Sequence, residues 1–90
     1  MFEFALQEYA NGWLDDITVS VQYDPSDDAI PAMIFITGIR SAIFKDDPAE
    51  WHQIADEFIQ FIHQRSGLNF TKGKMINNEG EVGITLVPKE

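Results

Sequence analysis

The stretch from Asp47 to Gly67 constrains this chain most, because a start signal, a stop signal and a helical period coincide there. Asp47 stands at the N-cap position and Pro48 at N1, where a fixed φ helps and a missing N–H costs nothing. Glu50 at N3 completes a capping box. Gly67 can take the left-handed conformation that closes a helix. Between these ends, Trp51, Ile54, Ala55, Phe58, Ile59, Phe61 and Ile62 form one broad apolar stripe. The spacing predicts a helix over 47–66 that buries the stripe, Trp51 included. His52, Gln53, Asp56, Glu57, Gln60, His63 and Gln64 are left as a solvated face. A helix with a single apolar stripe needs a second layer to cover it.

The rest of the chain reads as strands. Asn11-Gly12 has the two residue types that a type I′ hairpin turn favours. With the turn there, Ala10 pairs with Trp13, Leu6 with Ile17, Phe4 with Val19 and Phe2 with Val21, all on one face. One conflict remains, since Glu8 would face Asp15 on that apolar side. A short helix with Phe2, Leu6, Tyr9 and Trp13 on one side accounts for fewer positions, so the hairpin is the expectation. Asp24-Pro25-Ser26-Asp27-Asp28 reads as a turn or loop. A strand follows from about Ala32 to Phe44, with Gly38 suggesting a bulge or close approach. After the helix, 70–76 and 82–87 form a second hairpin around Asn77-Asn78-Glu79-Gly80. Lys72 and Lys74 are the guard charges of an edge strand.

The expected architecture is therefore α+β in the order β-β-β-α-β-β: a mostly antiparallel, five-stranded sheet with one helix on one face. Five strands span about 24 Å at ~4.8 Å spacing, whereas one helix covers only about 10–12 Å. The sheet must curl around the helix, or a second copy must cover what stays open, so a homodimer is one expectation.

Ninety residues make one domain, 1–90. Cysteine is absent, which excludes disulfides and thiolate chemistry. The N-terminus lacks a basic n-region and a long apolar stretch, and the longest apolar run, 29–36, falls short of the ~20 residues a membrane helix needs. A soluble, cytoplasmic protein is expected.

Charge is distributed unevenly. Through residue 57 twelve acids stand against Arg40 and Lys45, a balance of −10; from residue 58 four bases stand against three acids, a balance of +1, which together give the chain's −9. Such a field repels phosphates and anionic lipid heads and attracts basic protein surfaces. Direct nucleic-acid or membrane binding is not expected.

No catalytic, cofactor or metal signature is present. His52 and Asp56 are i, i+4 on the helix, but His63 lies about 16 Å farther along the axis, and nothing supplies the further ligands zinc needs. The Asp-Asp doublets lack calcium-loop spacing. The serines lack a nucleophile-elbow context, and no glycine-rich phosphate loop occurs. The expectation is a non-enzymatic module whose acidic face engages a basic partner surface, with Glu8, Trp13, Asp15, Asp16, Asp24, Asp27 and Asp28 as its contacts. One version is an inhibitor that mimics nucleic acid. Carboxylates at alternate positions on the first strands would stand about 6.8 Å apart, near a phosphate-like spacing, and could occupy the site of a nuclease or other nucleic-acid-binding protein. The likeness to antirestriction, anti-CRISPR and toxin-immunity inhibitors is one of size and charge alone. The alternative is a small structural or assembly subunit that uses an uncovered apolar sheet surface.

Overall fold

In the computed structural model, which describes residues 2–13, 17–39, 48–78 and 80–89, the chain forms two helices and four strands. The elements run α1 (Phe2–Trp13), β1 (Ile17–Asp24), β2 (Asp27–Ile39), α2 (Pro48–Ser66), β3 (Phe70–Asn78) and β4 (Glu81–Pro88). The strands make one antiparallel sheet in the order β1-β2-β4-β3. This corrects the expected five-stranded, curled sheet with a single helix. The fold is α+β with two helices and a four-stranded sheet that is neither closed nor strongly curled, in the order α-β-β-α-β-β.

The difference lies in residues 2–13. Asn11 and Gly12 fall in the last turn of α1, and positive φ is found at Gly67 (77°) and Gly80 (81°) instead. Ala5, Leu6, Gln7, Glu8 and Ala10 are strong helix formers. Leu6 and Ala10, one turn apart, are both fully buried. Gln7 donates from Nε2 to Asn11 Oδ1 at 2.9 Å, an i, i+4 bond that uses the turn-forming asparagine within the helix. The helix also removes the Glu8–Asp15 pairing that the hairpin would have required.

Helix α2 matches the predicted span. The N-cap expected at Asp47 lies outside the described residues, but the C-terminus of the helix is visible. Gly67 N donates to His63 O at 2.8 Å, the single 5→1 bond of an αL cap. Trp51, Ile54, Ala55, Phe58 and Ile62 are buried, while Ile59 and Phe61 pack partly exposed against them.

Both helices lie on the same face of the sheet. Their buried residues form one cluster with Ile17 and Val19 of β1, Ile34 and Ile36 of β2, Val82, Ile84 and Leu86 of β4, and Phe70 of β3. The Tyr9 ring of α1 stacks on Phe61 (4.2 Å, 14°) and meets Phe58 edge-on (5.2 Å, 89°), joining the two helices. Four strands span about 19 Å, and two helices side by side cover about 20–24 Å. The inner face is thus roofed without curling and without a second copy.

The register explains the irregularities. Gly38 pairs with Ile17 on one side and Val82 on the other, with no shift there. The shifts fall instead around Tyr23, opposite Pro31. The β2–β4 ladder runs from Ile34 to Ile39, so Pro31 sits beyond it, where its missing N–H breaks no central pairing. The turns fall where expected but are tighter: Pro25-Ser26 alone joins β1 to β2, because Asp24 ends β1 and β2 begins at Asp27 rather than near Ala32, and β3 runs on through Asn78, with positive-φ Gly80 between β3 and β4.

Candidate functional site

A four-stranded sheet can meet another molecule at two edges or on two faces. The inner face is occupied by the helices. The β1 edge is capped at its Ile17–Val19 end by a side chain: Gln7 Nε2 donates to Ile17 O at 3.0 Å, and Gln7 Oε1 accepts from Val19 N at 2.9 Å. The amide of Gln7 thereby occupies the place of one residue of a neighbouring strand.

The β3 edge is interrupted by a bulge between Lys72 and Met75. Thr85 Oγ1 donates to Lys74 O at 2.9 Å and satisfies the displaced carbonyl. A Cβ on Gly73 would lie 2.5 Å from that same hydroxyl, so a larger residue there would have to displace Thr85 Oγ1 from its bond. Lys72 reaches α2 and pairs with Asp56 at 3.1 Å. A bulge and lysines are devices that keep an exposed strand from pairing with another chain, as the sequence suggested for this segment.

The outer face remains open. Register places its side chains in cross-strand rows. One row is Thr18, Thr37, Gly83 and Ile76; the next holds Ser20, Phe35 and Thr85; a third holds Gln22 and Met33 on one side and Val87 and Thr71 on the other. Met33, Phe35, Ile76 and Val87 are half-buried, while Thr18, Ser20, Gln22, Thr71 and Glu81 around them are exposed. An apolar centre within a polar rim is the usual anatomy of a protein–protein contact. At one end lies an open hollow of about 400 Å³ lined by Thr18, Ser20, Phe35, Thr37, Ile76 and Glu81.

A smaller groove of about 230 Å³ lies on the helix side, lined by Tyr9, Glu57, Gln60, Phe61 and Gln64. The Tyr9 hydroxyl has its pKa raised above the ordinary 10.0, first by burial and then by the Glu57 carboxylate. Arg65 sits over the Phe61 ring at 5.9 Å. Tyr9 and Phe61 are held in core contacts here, so the groove reads as a seam between helices. Among the described residues, no three His, Cys, Asp or Glu side chains converge as a metal site. No described helix is long and apolar enough to cross a membrane.

The sequence-predicted contact residues are spread over several elements. Glu8 is exposed on α1, in the helical layer. Trp13 ends α1, and its side chain lies outside the described residues, as do Asp15 and Asp16 entirely. Asp24 ends β1, and its Oδ1 accepts from Ser26 N at 2.8 Å and Ser26 Oγ at 2.6 Å, which ties it to the turn. Asp27 and Asp28 begin β2, with side chains outside the description. Ile17 and Asp24 stand about 23 Å apart along β1. The ladder of carboxylates expected at alternate strand positions is not formed over residues 2–13, which are helical, and β1 presents Thr18, Ser20 and Gln22 outward.

Met33, Phe35, Ile76, Glu81 and Val87 are not among the contact residues expected from the sequence. For β2 a signal existed. The run 32–36, Ala-Met-Ile-Phe-Ile, is apolar at successive positions, which places apolar side chains on both faces of a strand. No protein-family model, curated protein or solved structure matches this chain.

Proposed function

We propose that this chain is a non-enzymatic binding module that docks a basic protein surface on the outer face of its sheet. The observation that carries the reading is the outer face itself: an apolar centre of Met33, Phe35, Ile76 and Val87 inside a rim of hydroxyls and the Glu81 carboxylate, on a sheet whose inner face is covered by the helices and whose edges are interrupted by Gln7 and by the β3 bulge. The chain's charge of −9 supplies long-range attraction for a cationic partner. The face supplies the short-range contact that a diffuse field cannot. An inhibitor that blocks the basic groove of a nucleic-acid-binding protein or nuclease is the narrower form of this reading. Its carboxylates would act by steering toward the groove.

A second copy is the other occupant to weigh, and it would make the chain a small assembly subunit. Self-pairing through this face would bring two −9 chains together with Glu81 on both sides, which like-charge repulsion opposes.

Capture on the immobilised protein, with Phe35→Lys beside the parent, tests the proposal. The expected result is a basic partner whose retention falls steeply toward about 0.5 M salt and is lost with Phe35→Lys while the variant stays folded. A partner retained equally with Phe35→Lys overturns the surface assignment. A partner lost with Phe35→Lys but held at high salt favours the assembly reading, as does light scattering at twice the 10.2 kDa monomer mass.

A further inference from the structure

The hollow at the Glu81 end of the outer face has a fixed cause. In the row Thr18, Thr37, Gly83, Ile76 the third position carries no side chain. None could be accommodated there. A Cβ on Gly83 would overlap the Ile36 carbonyl oxygen and lie 2.8 Å from Thr37 Cα. The approach of the β2 backbone therefore keeps any side chain from rising between Thr37 and Ile76, its register neighbours, and Phe35 and Ile76 line the hollow as apolar walls.

The chemistry of the lining is one-sided. Glu81 is the one charged group among the six lining residues, and among the described residues no Lys or Arg pairs with it. Thr18, Ser20 and Thr37 add hydroxyl oxygens. Thr37 Oγ1 already directs its proton to Thr18 O at 3.4 Å, which leaves its lone pairs to accept. A phosphate or carboxylate would meet Glu81 without a compensating cation. A donor-only group with a flat face suits the site better: its N–H groups meet the carboxylate and hydroxyls, and its plane lies against the Phe35 ring.

Building on the proposed function, we propose that the hollow over Gly83 seats the guanidinium of one arginine of the basic partner. The charged end meets Glu81, the three-carbon stem lies along Ile76, and the guanidinium plane rests on Phe35. A lysine can satisfy the carboxylate but not the stacking, so the seat discriminates between two cations of equal charge.

The test is a titration of the isotope-labelled full chain with N-acetyl-arginine amide, followed at the backbone amides, with the citrulline amide as a neutral counterpart of the same shape. The arginine probe is expected to give saturable shifts at Thr18, Thr37, Ile76, Glu81 and Gly83, and the citrulline probe to bind at least about fivefold more weakly. Glu81→Gln, an exposed change that preserves the fold, is expected to weaken arginine binding about tenfold, the loss of one charge-assisted contact. Equal binding of the two probes overturns the seat, as does an unchanged affinity in Glu81→Gln or shifts spread equally over Glu8, Glu50, Asp56 and Glu57. Arg40 follows Ile39, the register partner of Glu81, so Arg40→Gln is the control for an occupant from the chain itself. Unchanged affinity is expected, and a tenfold gain would overturn the assignment to a partner. If the probe fails while Phe35→Lys still abolishes partner capture, the seat alone is refuted. If capture is indifferent to Phe35→Lys, the parent reading falls with it.

Discussion

Gln7 is the residue whose removal should be felt farthest from its own helix. Its amide makes two bonds to the backbone of β1 and one to Asn11. The orientation of the amide is dictated by its partners, because Val19 N–H needs an acceptor and the Ile17 carbonyl needs a donor. Gln7→Leu keeps helix propensity nearly constant and removes all three bonds. Each partly buried bond is worth about 0.5–1.5 kcal/mol net, and the exposed i, i+4 bond a few tenths more. The expected loss is about 1.5–3 kcal/mol. Against about 5–13 kcal/mol for a domain of this length, that is a large share. With a urea m-value of about 2 kcal/mol/M, the midpoint should fall by about 1 M in equilibrium unfolding followed by circular dichroism, and Val19 amide exchange should accelerate. A midpoint within about 0.2 M of the parent would refute the claim that a side chain caps this edge.

Gln7→Glu sharpens the same test through pH. The carboxylate can still accept from Val19 N–H, but an oxygen replaces the NH₂ group facing the Ile17 carbonyl. The proton that restores a donor is favoured in the folded state, so the folded pKa of this Glu rises above its unfolded value of about 4.3. Stability is then fully present below the unfolded pKa and is lost as pH rises through the folded one. Relative to the parent, the variant should match most closely near pH 4 and fall behind toward pH 7. A deficit independent of pH would refute the orientation assigned to the amide.

Other outcomes follow from the same geometry. Phe58→Ala, at a fully buried position, should cost about 3–5 kcal/mol and lower the urea midpoint by about 1.5–2.5 M. Gly73→Ala should destabilise because its Cβ meets Thr85 Oγ1; the double variant with Thr85→Ala should lose less than the sum of the two singles in a denaturation cycle. Stability should decline above about pH 10 as the unfolded chain gives up the Tyr9 proton before the folded one does. Glu57→Gln should lower the Tyr9 pKa in an ultraviolet titration.

The sequence was most legible where one local signal was backed by a second. Helix α2 had a capping box, a stripe and a closing glycine, and its span and buried face match the structure. The β3–β4 hairpin had alternating strands and a Gly80 with positive φ. Residues 2–13 were misread because Asn-Gly is ambiguous: the pair that favours a hairpin turn is also tolerated in the last turn of a helix, and Leu6 with Ala10 fits a helical period as well as an alternating one. What decided between them is tertiary. A helix here presents Gln7 to the open edge of β1 and Tyr9 to Phe58 and Phe61, contacts that no local pattern reveals. The strand count followed from that error, and so did the shortage of helical cover. The outer face was hard to see for a related reason. Gly83 reads as ordinary hairpin chemistry in the sequence, and its meaning appears only when β2 lies beside it.

The division of labour between charge and surface follows from how individual acids are used. Asp24 accepts two bonds from Ser26, Asp56 pairs with Lys72, and Glu57 faces the Tyr9 hydroxyl. These carboxylates still contribute to the field, yet Asp24 and Asp56 are held in local bonds and none of the three lines the hollow. Glu81 differs, since it stands on the open face beside apolar walls, with no cation among the described residues to neutralise it. Removing charge at the first kind of site should alter association rate and salt dependence with modest effect on dissociation, as rim charges do. Changing Glu81 to Gln should instead raise the dissociation rate, because it deletes a contact made only in the docked state. Kinetic measurements with Asp56→Asn and Glu81→Gln side by side separate the two roles, and equal effects of both on dissociation would mean that the hollow carries no more of the binding than any other acid.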